Sequence, residues 1–138
     1  MELPHTDWSE REAPSLDALE QLARASFAGL PSEFRALVDG IAFVVQDFPD
    51  EETLKELGLE SGFDILGLFH GADLADRTAN RGVPEPTMIL LYRRPILDYW
   101  AENDETLGAI VRHVLIHEIG HHFGLSDEAM DAIEDGEE

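Results

Sequence analysis

The feature that most constrains the fold of this chain is a long segment near its C-terminus in which apolar residues recur at helical spacing. Such a stripe buries one face of a helix against the rest of a protein. Asn103 or Asp104 is expected to cap the start of this helix, and Gly124 is expected to end it. The rest of the chain must pack around this helix, whose stripe runs toward Phe123 through Leu107, Ile110, Val111, Val114, Leu115 and Ile119.

Two histidines on the predicted helix are placed to hold a metal ion. His117 and His121 are four residues apart, so they lie about 40° apart around the helix axis and about 6 Å apart along it. Both imidazoles can therefore reach one ion. Zinc accepts two neutral imidazoles and a carboxylate, and its catalytic sites keep a fourth position for water. The spacing predicts a Zn²⁺ site with these two histidines as ligands.

Glu118 directly follows the first of these histidines, and we interpret it as the general base. This position places the carboxylate near the metal but turned aside, where it can take a proton from a zinc-activated water. The zinc ion also polarises a substrate carbonyl group. The implied reaction is the hydrolysis of an amide bond, in which Glu118 passes the proton to the leaving amine.

The third protein ligand is expected from beyond the helix. His113 does not share an ion with His121, because the two residues are about 12 Å apart along the helix axis. Gly124 can adopt the left-handed conformation that ends a helix and turns the chain back. This turn is expected to bring Asp127 toward the two histidines. We therefore predict Asp127 as the third ligand, with Glu128 as the fallback.

The remaining histidines receive other roles in this interpretation. His113 and His122 are predicted to be structural, or to support the ligands without binding the ion. His5 and His70 stand alone in the sequence and are predicted to be solvated or hydrogen-bonded.

Charge and composition limit the partners of the chain. Its 30 acidic residues against nine lysines and arginines give a formal net charge of −21, which repels phosphate backbones and anionic lipid headgroups. Nucleic acid and membrane partners are therefore not expected, and a peptide or protein substrate is. The apolar content of 43% suffices for the core of one compact domain. No feature of the sequence predicts the oligomeric state.

The lack of cysteine restricts the chemistry further. Disulfides, thiolate zinc sites and cysteine nucleophiles are excluded, so any metal must be held by His, Asp or Glu. The residues after Met1 lack the basic opening and the apolar stretch of a secretory signal, and no segment approaches the length of a membrane span. A cytoplasmic protein is expected.

Helices and strands are interspersed along the chain, which predicts an α+β fold. Helices are expected behind caps at Ser15, Asp50 and Ser126, and the first two are expected to stop at Gly29 and Gly58. Apolar runs predict three strands, at 41–46, 63–69 and 87–92, and a long surface loop at 72–86. The expected organisation is a flexible N-terminal arm at 1–14, a single domain at 15–133 and an acidic tail at 134–138.

The run His117-Glu118-Ile119-Gly120-His121-His122-Phe123-Gly124-Leu125-Ser126-Asp127 resembles the metzincin-like HExxHxxGxxD zinc signature. The chain from about 15 to 133 resembles the minimal zincin-like metallopeptidase family, and the runs 66–71 and 89–95 extend the similarity. The resemblance implies a zinc-dependent peptidase with Glu118 as catalytic base and three zinc ligands, namely His117, His121 and Asp127. It also implies a small mixed sheet packed on helices.

The resemblance further implies that one edge strand near the metal holds an extended peptide by strand addition. The strands at 87–92 and 63–69 are the two candidates for this edge. Full-size metzincins have a methionine-containing turn beneath the zinc, and Met130 lies too close to Asp127 in the sequence to be assigned this role.

Two other interpretations compete with a peptidase. In the first, the chain is a non-catalytic, metal-stabilised protein-binding module, in which the ion joins the long helix to the C-terminal segment without turnover. In the second, the acidic face docks a basic protein and the histidines are incidental. Metal content and hydrolysis of peptides distinguish the three.

Overall fold

The structure, a computed structural model, describes residues 8–38, 40–71 and 87–136. Within these ranges it has six α-helices, a three-stranded sheet and one short 3-10 helix at Gly62–Asp64, so the predicted α+β class is confirmed. The helices are α1 (Leu16–Ala28), α2 (Ser32–Arg35), α3 (Glu51–Leu57), α4 (Arg93–Glu102), α5 (Leu107–His122) and α6 (Asp127–Glu134). The strands are β1 (Ala42–Gln46), β2 (Gly67–His70) and β3 (Met88–Tyr92).

The sheet is mixed, as the family resemblance implies, with the strand order β1-β3-β2. The central strand β3 pairs in parallel with β1 and antiparallel with β2. The candidate edge strand at 87–92 is therefore wrong, because β3 is paired on both sides. Of the two candidates, the run at 63–69 supplies the edge strand, although Phe63 and Asp64 belong to the 3-10 helix and the strand starts at Gly67.

One side of β2 has no strand partner among the described residues. The N–H of Tyr92 donates to the carbonyl of Leu66 at 3.0 Å, which sets the phase of the β2–β3 ladder. Because hydrogen bonding alternates along an antiparallel strand, the backbone N–H and C=O groups of Gly67 and Phe69 point away from β3. These groups form the free edge of β2.

The predicted caps of the outer helices are confirmed. The Ser15 hydroxyl accepts a hydrogen bond from the Ala18 N–H at 3.0 Å, and the Asp50 carboxylate accepts one from the Thr53 N–H at 2.8 Å. Such bonds satisfy N–H groups that have no partner within the helix. Gly58 ends α3 in the left-handed conformation, at φ +69°.

The start of the long helix differs from the prediction. Thr106, and not Asn103 or Asp104, caps α5, and its hydroxyl accepts from the Ala109 N–H at 3.1 Å. The reason is α4, a helix that the sequence analysis did not predict, which ends at Asn103. Pro95 lies in the first turn of α4, where its missing N–H removes no helical hydrogen bond.

The long helix α5 lies between two groups of buried side chains. One group joins α5 to α1 and to the sheet, and the other joins its C-terminal half to α2 and α6. Most of the predicted stripe is buried, as expected. The first group is Leu19, Ala23, Phe43, Ile89, Leu91, Ile96, Ile110, Val111, Val114 and Leu115, and the second is Leu30, Phe34, Val38, Ile116, Ile119 and Met130.

Several predicted segments lie partly or wholly outside the described residues: the loop at 72–86, the first seven residues of the arm with His5, and the last two residues of the acidic tail. In the described part of the arm, the carbonyl of Pro14 accepts a hydrogen bond from Arg93 Nε at 2.6 Å. Glu134, the first residue of the predicted tail, ends α6. No described helix combines the length and the apolar character needed to cross a membrane.

Candidate metal centre

Three histidines follow one another at intervals of four residues along α5. The rings of His113 and His117 are stacked, with centroids 4.0 Å apart and an interplanar angle of 27°. The rings of His117 and His121 are 5.7 Å apart and nearly perpendicular, at 75°. His117 is therefore the middle member of a row that extends the predicted pair by one helical turn.

The carboxylate of Glu134 lies against the first two histidines of this row. Its oxygens lie 2.7 and 2.8 Å from Nδ1 of His113, and Oε1 lies 3.0 Å from Nε2 of His117. Burial acts to raise the pKa of Glu134, but the hydrogen bonds and charges of the two histidines lower it below its ordinary value. Within the described ranges, this is the one set of three His, Asp or Glu residues whose ligand atoms all lie within 4.8 Å of one another.

The sequence analysis missed this set, although part of its signal was available. His113 precedes His117 by the same four residues that separate His117 from His121. It was set aside only because it does not reach the ion of His121. Glu134 was assigned to the acidic tail, since nothing in the sequence shows that α6 folds back along α5.

The predicted third ligand lies elsewhere in this structure. Gly124 adopts the left-handed conformation expected of it, at φ +74°, and the chain turns back after α5. Asp127 and Glu128, however, form the exposed first turn of α6, which is capped by Ser126. Neither residue joins His117 and His121 within the 4.8 Å span that gathers Glu134. The assignment of Asp127 as a ligand stays a prediction.

Glu118, the predicted general base, turns toward the sheet. Its partly buried carboxylate lies near the backbone N–H of Phe69, on the side of β2 that faces away from β3. Burial raises the pKa of Glu118 above its ordinary value, against the opposing effects of His121 and of the Phe69 N–H. The carboxylate is thus placed at the edge strand, with its proton affinity raised as a general base requires.

His122, for which the sequence predicts a structural or supporting role, packs against aromatic side chains. Its ring lies 4.3 Å from that of Phe69 and 5.0 Å from that of Phe123. These contacts add to the junction between α5 and the edge strand.

Gly120 lies in α5 between the two predicted histidine ligands, where a glycine costs about 1 kcal/mol relative to alanine. Met130 of α6 explains its presence. A Cβ atom at position 120 would lie 2.5 Å from the Met130 Sδ and 2.9 Å from its Cγ. Met130 is fully buried, so the close approach of α6 requires a residue without a side chain here. Met130 therefore packs directly on the helical turn that carries the histidines.

The residues of this region fit zinc in their chemistry. Two imidazoles bound to one tetrahedral ion at about 2.0–2.1 Å have ring centroids about 5 Å apart, so the 5.7 Å between His117 and His121 needs only a small adjustment. Carboxylates lie at both ends of the row, with Glu134 on the first two rings and Glu118 near His121. Imidazole and carboxylate groups are the ligands left to a chain without cysteine.

Comparison with protein families gives an independent result. Residues 38–137 match a family model described as zincin-like metallopeptidase. The matched range is more than half of the chain, and it includes the sheet, α5 and α6. A comparison with curated proteins finds no match.

Proposed function

Because the chain belongs to the zincin-like metallopeptidase family, we propose that it is a zinc-dependent peptidase that hydrolyses amide bonds. The observation that carries this proposal is the placement of Glu118. Its partly buried carboxylate follows His117, precedes His121 by less than one helical turn, and lies near the backbone of the edge strand β2 at Phe69. A general base is needed at this position, beside the metal and facing the substrate.

In this proposal zinc is held by His117, His121 and Asp127, the ligands of the HExxHxxGxxD signature. Bound zinc supplies a Lewis acid, which lowers the pKa of a water molecule to about 7 and polarises the scissile carbonyl. The 5.7 Å between the two imidazole rings supports the shared role of the histidines. Asp127 does not join the two histidines within 4.8 Å in this structure, so its side chain or the first turn of α6 has to move for all three to bind one ion.

Glu118 carries the proton transfers. Its raised pKa makes the carboxylate a stronger base, which would take a proton from the attacking water and return it to the leaving amine.

The free edge of β2 is the proposed binding surface for the substrate. An extended peptide adds to such an edge through backbone hydrogen bonds, for which the outward-pointing groups of Gly67 and the carbonyl of Phe69 remain. Because Phe69 also contacts Glu118, a peptide on this edge lies next to the proposed base. A peptide or protein substrate follows from this arrangement.

The substitution Glu118→Gln tests the proposal, because glutamine keeps the size of the side chain and cannot act as a base. We expect the variant to retain zinc, measured by metal analysis of the purified protein, and to lose hydrolysis of a broad peptide library. Glu102→Gln is the control, since Glu102 is exposed at the end of α4 and is not among the residues that gather around the histidines. Undiminished cleavage by the Glu118 variant would remove this residue from the mechanism.

A metal-stabilised binding module without turnover is the second candidate function. The contacts of Glu134 with His113 and His117 favour it, because they already join the C-terminal helix to α5. Metal that braces two elements raises stability by its binding energy. A large fall in melting temperature on chelation, with no cleavage anywhere in the library, would support this module and refute the peptidase.

A further inference from the structure

We propose that His113, His117 and Glu134 form a second metal site, which binds a divalent ion of the zinc type and competes with the catalytic site for His117. The predicted ligand set combines His117 with residues on its C-terminal side. The set observed in the structure combines the same histidine with His113, one helical turn before it, and with Glu134 at the end of α6.

The distances between the ligand atoms fit this site after a small expansion. Ligand atoms bound tetrahedrally at about 2.0–2.1 Å are separated from one another by about 3.4 Å. The Glu134 oxygens lie 2.7 Å from the nearest nitrogen of His113 and 3.0 Å from that of His117. An ion between the three side chains requires these contacts to open by about half an ångström. Rotation of side chains that are partly exposed provides such a movement.

The site is held together by a contact outside the three ligands. Arg112 of α5 donates hydrogen bonds to the backbone carbonyls of Ile133, at 2.6 Å, and of Glu134. These bonds add to the one that the Gly136 N–H already donates to the Ile133 carbonyl, and they fix the backbone of Glu134 beside α5. The carboxylate is therefore positioned by the fold and not by its contact with the histidines alone.

The site is also open to an ion from solvent. The side chain of His113 is 50% exposed and that of Glu134 is 31% exposed, whereas that of His117 is only 20% exposed. The more exposed ligands thus stand in front of the shared, more buried one. An ion enters past His113 and Glu134 without any movement of the core.

The two sites exclude each other because they share His117. A neutral imidazole offers one lone pair to a metal, and Nε2 of His117 faces Glu134 in this structure. Adjacent histidine pairs on a helix are about 6 Å apart along the axis. An ion held by His113 and His117 is therefore displaced by about one turn from the pair His117 and His121. Only the competition rests on the proposed function; the second site itself does not.

The experiment separates the two sites by mutation and measures zinc binding by isothermal titration calorimetry. His121→Ala with Asp127→Asn removes the catalytic ligands and leaves the second site intact. We expect this double variant to bind one zinc ion per chain. Adding Glu134→Gln is expected to lower the zinc affinity at least about tenfold, since even partners outside the ligand shell contribute 10–100-fold.

Two further variants test whether a loss of zinc affinity is specific to the proposed ligands. His113→Asn, added to the same double variant, should weaken zinc binding as Glu134→Gln does, and position 113 is exposed enough to accept the change without loss of folding. Asp131→Asn, on the exposed face of the same helix, removes the same charge as Glu134→Gln and should leave the zinc affinity unchanged. Equal losses from Asp131→Asn and Glu134→Gln would reduce the effect to general electrostatics and overturn the proposal.

The outcomes distinguish this inference from the proposed function. If the double variant at 121 and 127 binds no zinc while the wild type binds zinc and cleaves peptides, the second site is refuted and the peptidase stands. If the double variant binds zinc through His113 and Glu134 while the wild type cleaves nothing, the second site stands and the peptidase fails. Wild-type protein that binds two zinc ions at once, with both sets occupied, would overturn the competition for His117.

Discussion

Because Gly120 packs closely on Met130, we expect the effect of Gly120→Ala on stability to change sign with the residue at position 130. Gly120→Ala gains about 1 kcal/mol of helix propensity. The added Cβ, however, would lie 2.5 Å from the Met130 Sδ and 2.9 Å from its Cγ. Overpacking of a buried site typically costs about 1–3 kcal/mol. Met130 is fully buried, so its side chain cannot turn out into solvent to relieve the contact. The net expectation is a destabilisation of about 0–2 kcal/mol.

Truncation of the partner should reverse the effect. Met130→Ala alone costs about 2–5 kcal/mol, because it leaves a cavity in the core. In that background the Cβ of Gly120→Ala no longer meets Met130, and its other near contact, with Leu125 at 3.5 Å, is ordinary. Gly120→Ala should then stabilise the protein by about 1 kcal/mol, so that the coupling energy of the pair is about 1–3 kcal/mol.

Urea unfolding of the wild type, both single variants and the double variant measures this coupling. Gly108→Ala is the matched control, because Gly108 lies in the same helix and a Cβ there meets nothing within 4 Å. It should give the same change in both Met130 backgrounds. If Gly120→Ala changes stability equally with and without Met130, close packing on this methionine is not the reason for the glycine, and the argument fails.

Three further predictions concern the edge strand, a helix cap and the metal. Gly67→Ala should destabilise the protein by about 1–3 kcal/mol, as measured by urea unfolding. The reason is that the new Cβ would lie 2.6 Å from the Val114 Cγ1 and 2.9 Å from the Leu90 carbonyl oxygen. An unchanged urea midpoint would contradict this packing. The hydrogen bonds of Thr53, first that of its side chain and then that of its backbone, lower the pKa of Asp50. The stability that the wild type gains from the Asp50 carboxylate, compared with Asp50→Asn, should therefore be fully present above about pH 4 and disappear as the pH falls through the lowered pKa. Parallel pH profiles of the unfolding free energy of the two proteins would refute this. Zinc at about 100 times its dissociation constant should stabilise the wild type by about 2.7 kcal/mol and the variant His117→Ala by far less. Thermal unfolding with and without the metal measures both effects. Equal stabilisation of the two proteins would mean that the ion does not bind to His117.

Local features of the fold were predictable because their causes lie within a few residues. The caps at Ser15 and Asp50, the left-handed Gly58 and Gly124, and the buried stripe of α5 follow from side-chain type and spacing alone. The helix α4 was not predictable in the same way. Its first residues follow directly on β3, and a proline at position 95 fits the end of a strand as well as the first turn of a helix.

The candidate site divides along the same line. The histidines of α5 and the neighbouring Glu118 could be identified because a helix places residues four apart on one side. Their partners from other elements could not. Phe69 lies near the Glu118 carboxylate but is 49 residues away from it in sequence. Glu134 contacts His117 and His113, from which it is 17 and 21 residues away. No periodicity relates such positions.

The sequence by itself thus predicted two histidines on one side of a helix as metal ligands and a neighbouring carboxylate as a base, since both predictions depend on residue type and helical spacing. The tertiary structure decided which of the two candidate strands lies at an edge of the sheet in the described residues, and which carboxylate meets the histidines. Those outcomes depend on the pairing of β3 on both sides and on the packing of α6 against Gly120. Both are set by contacts between distant segments, whose geometry is fixed only when the core closes around α5.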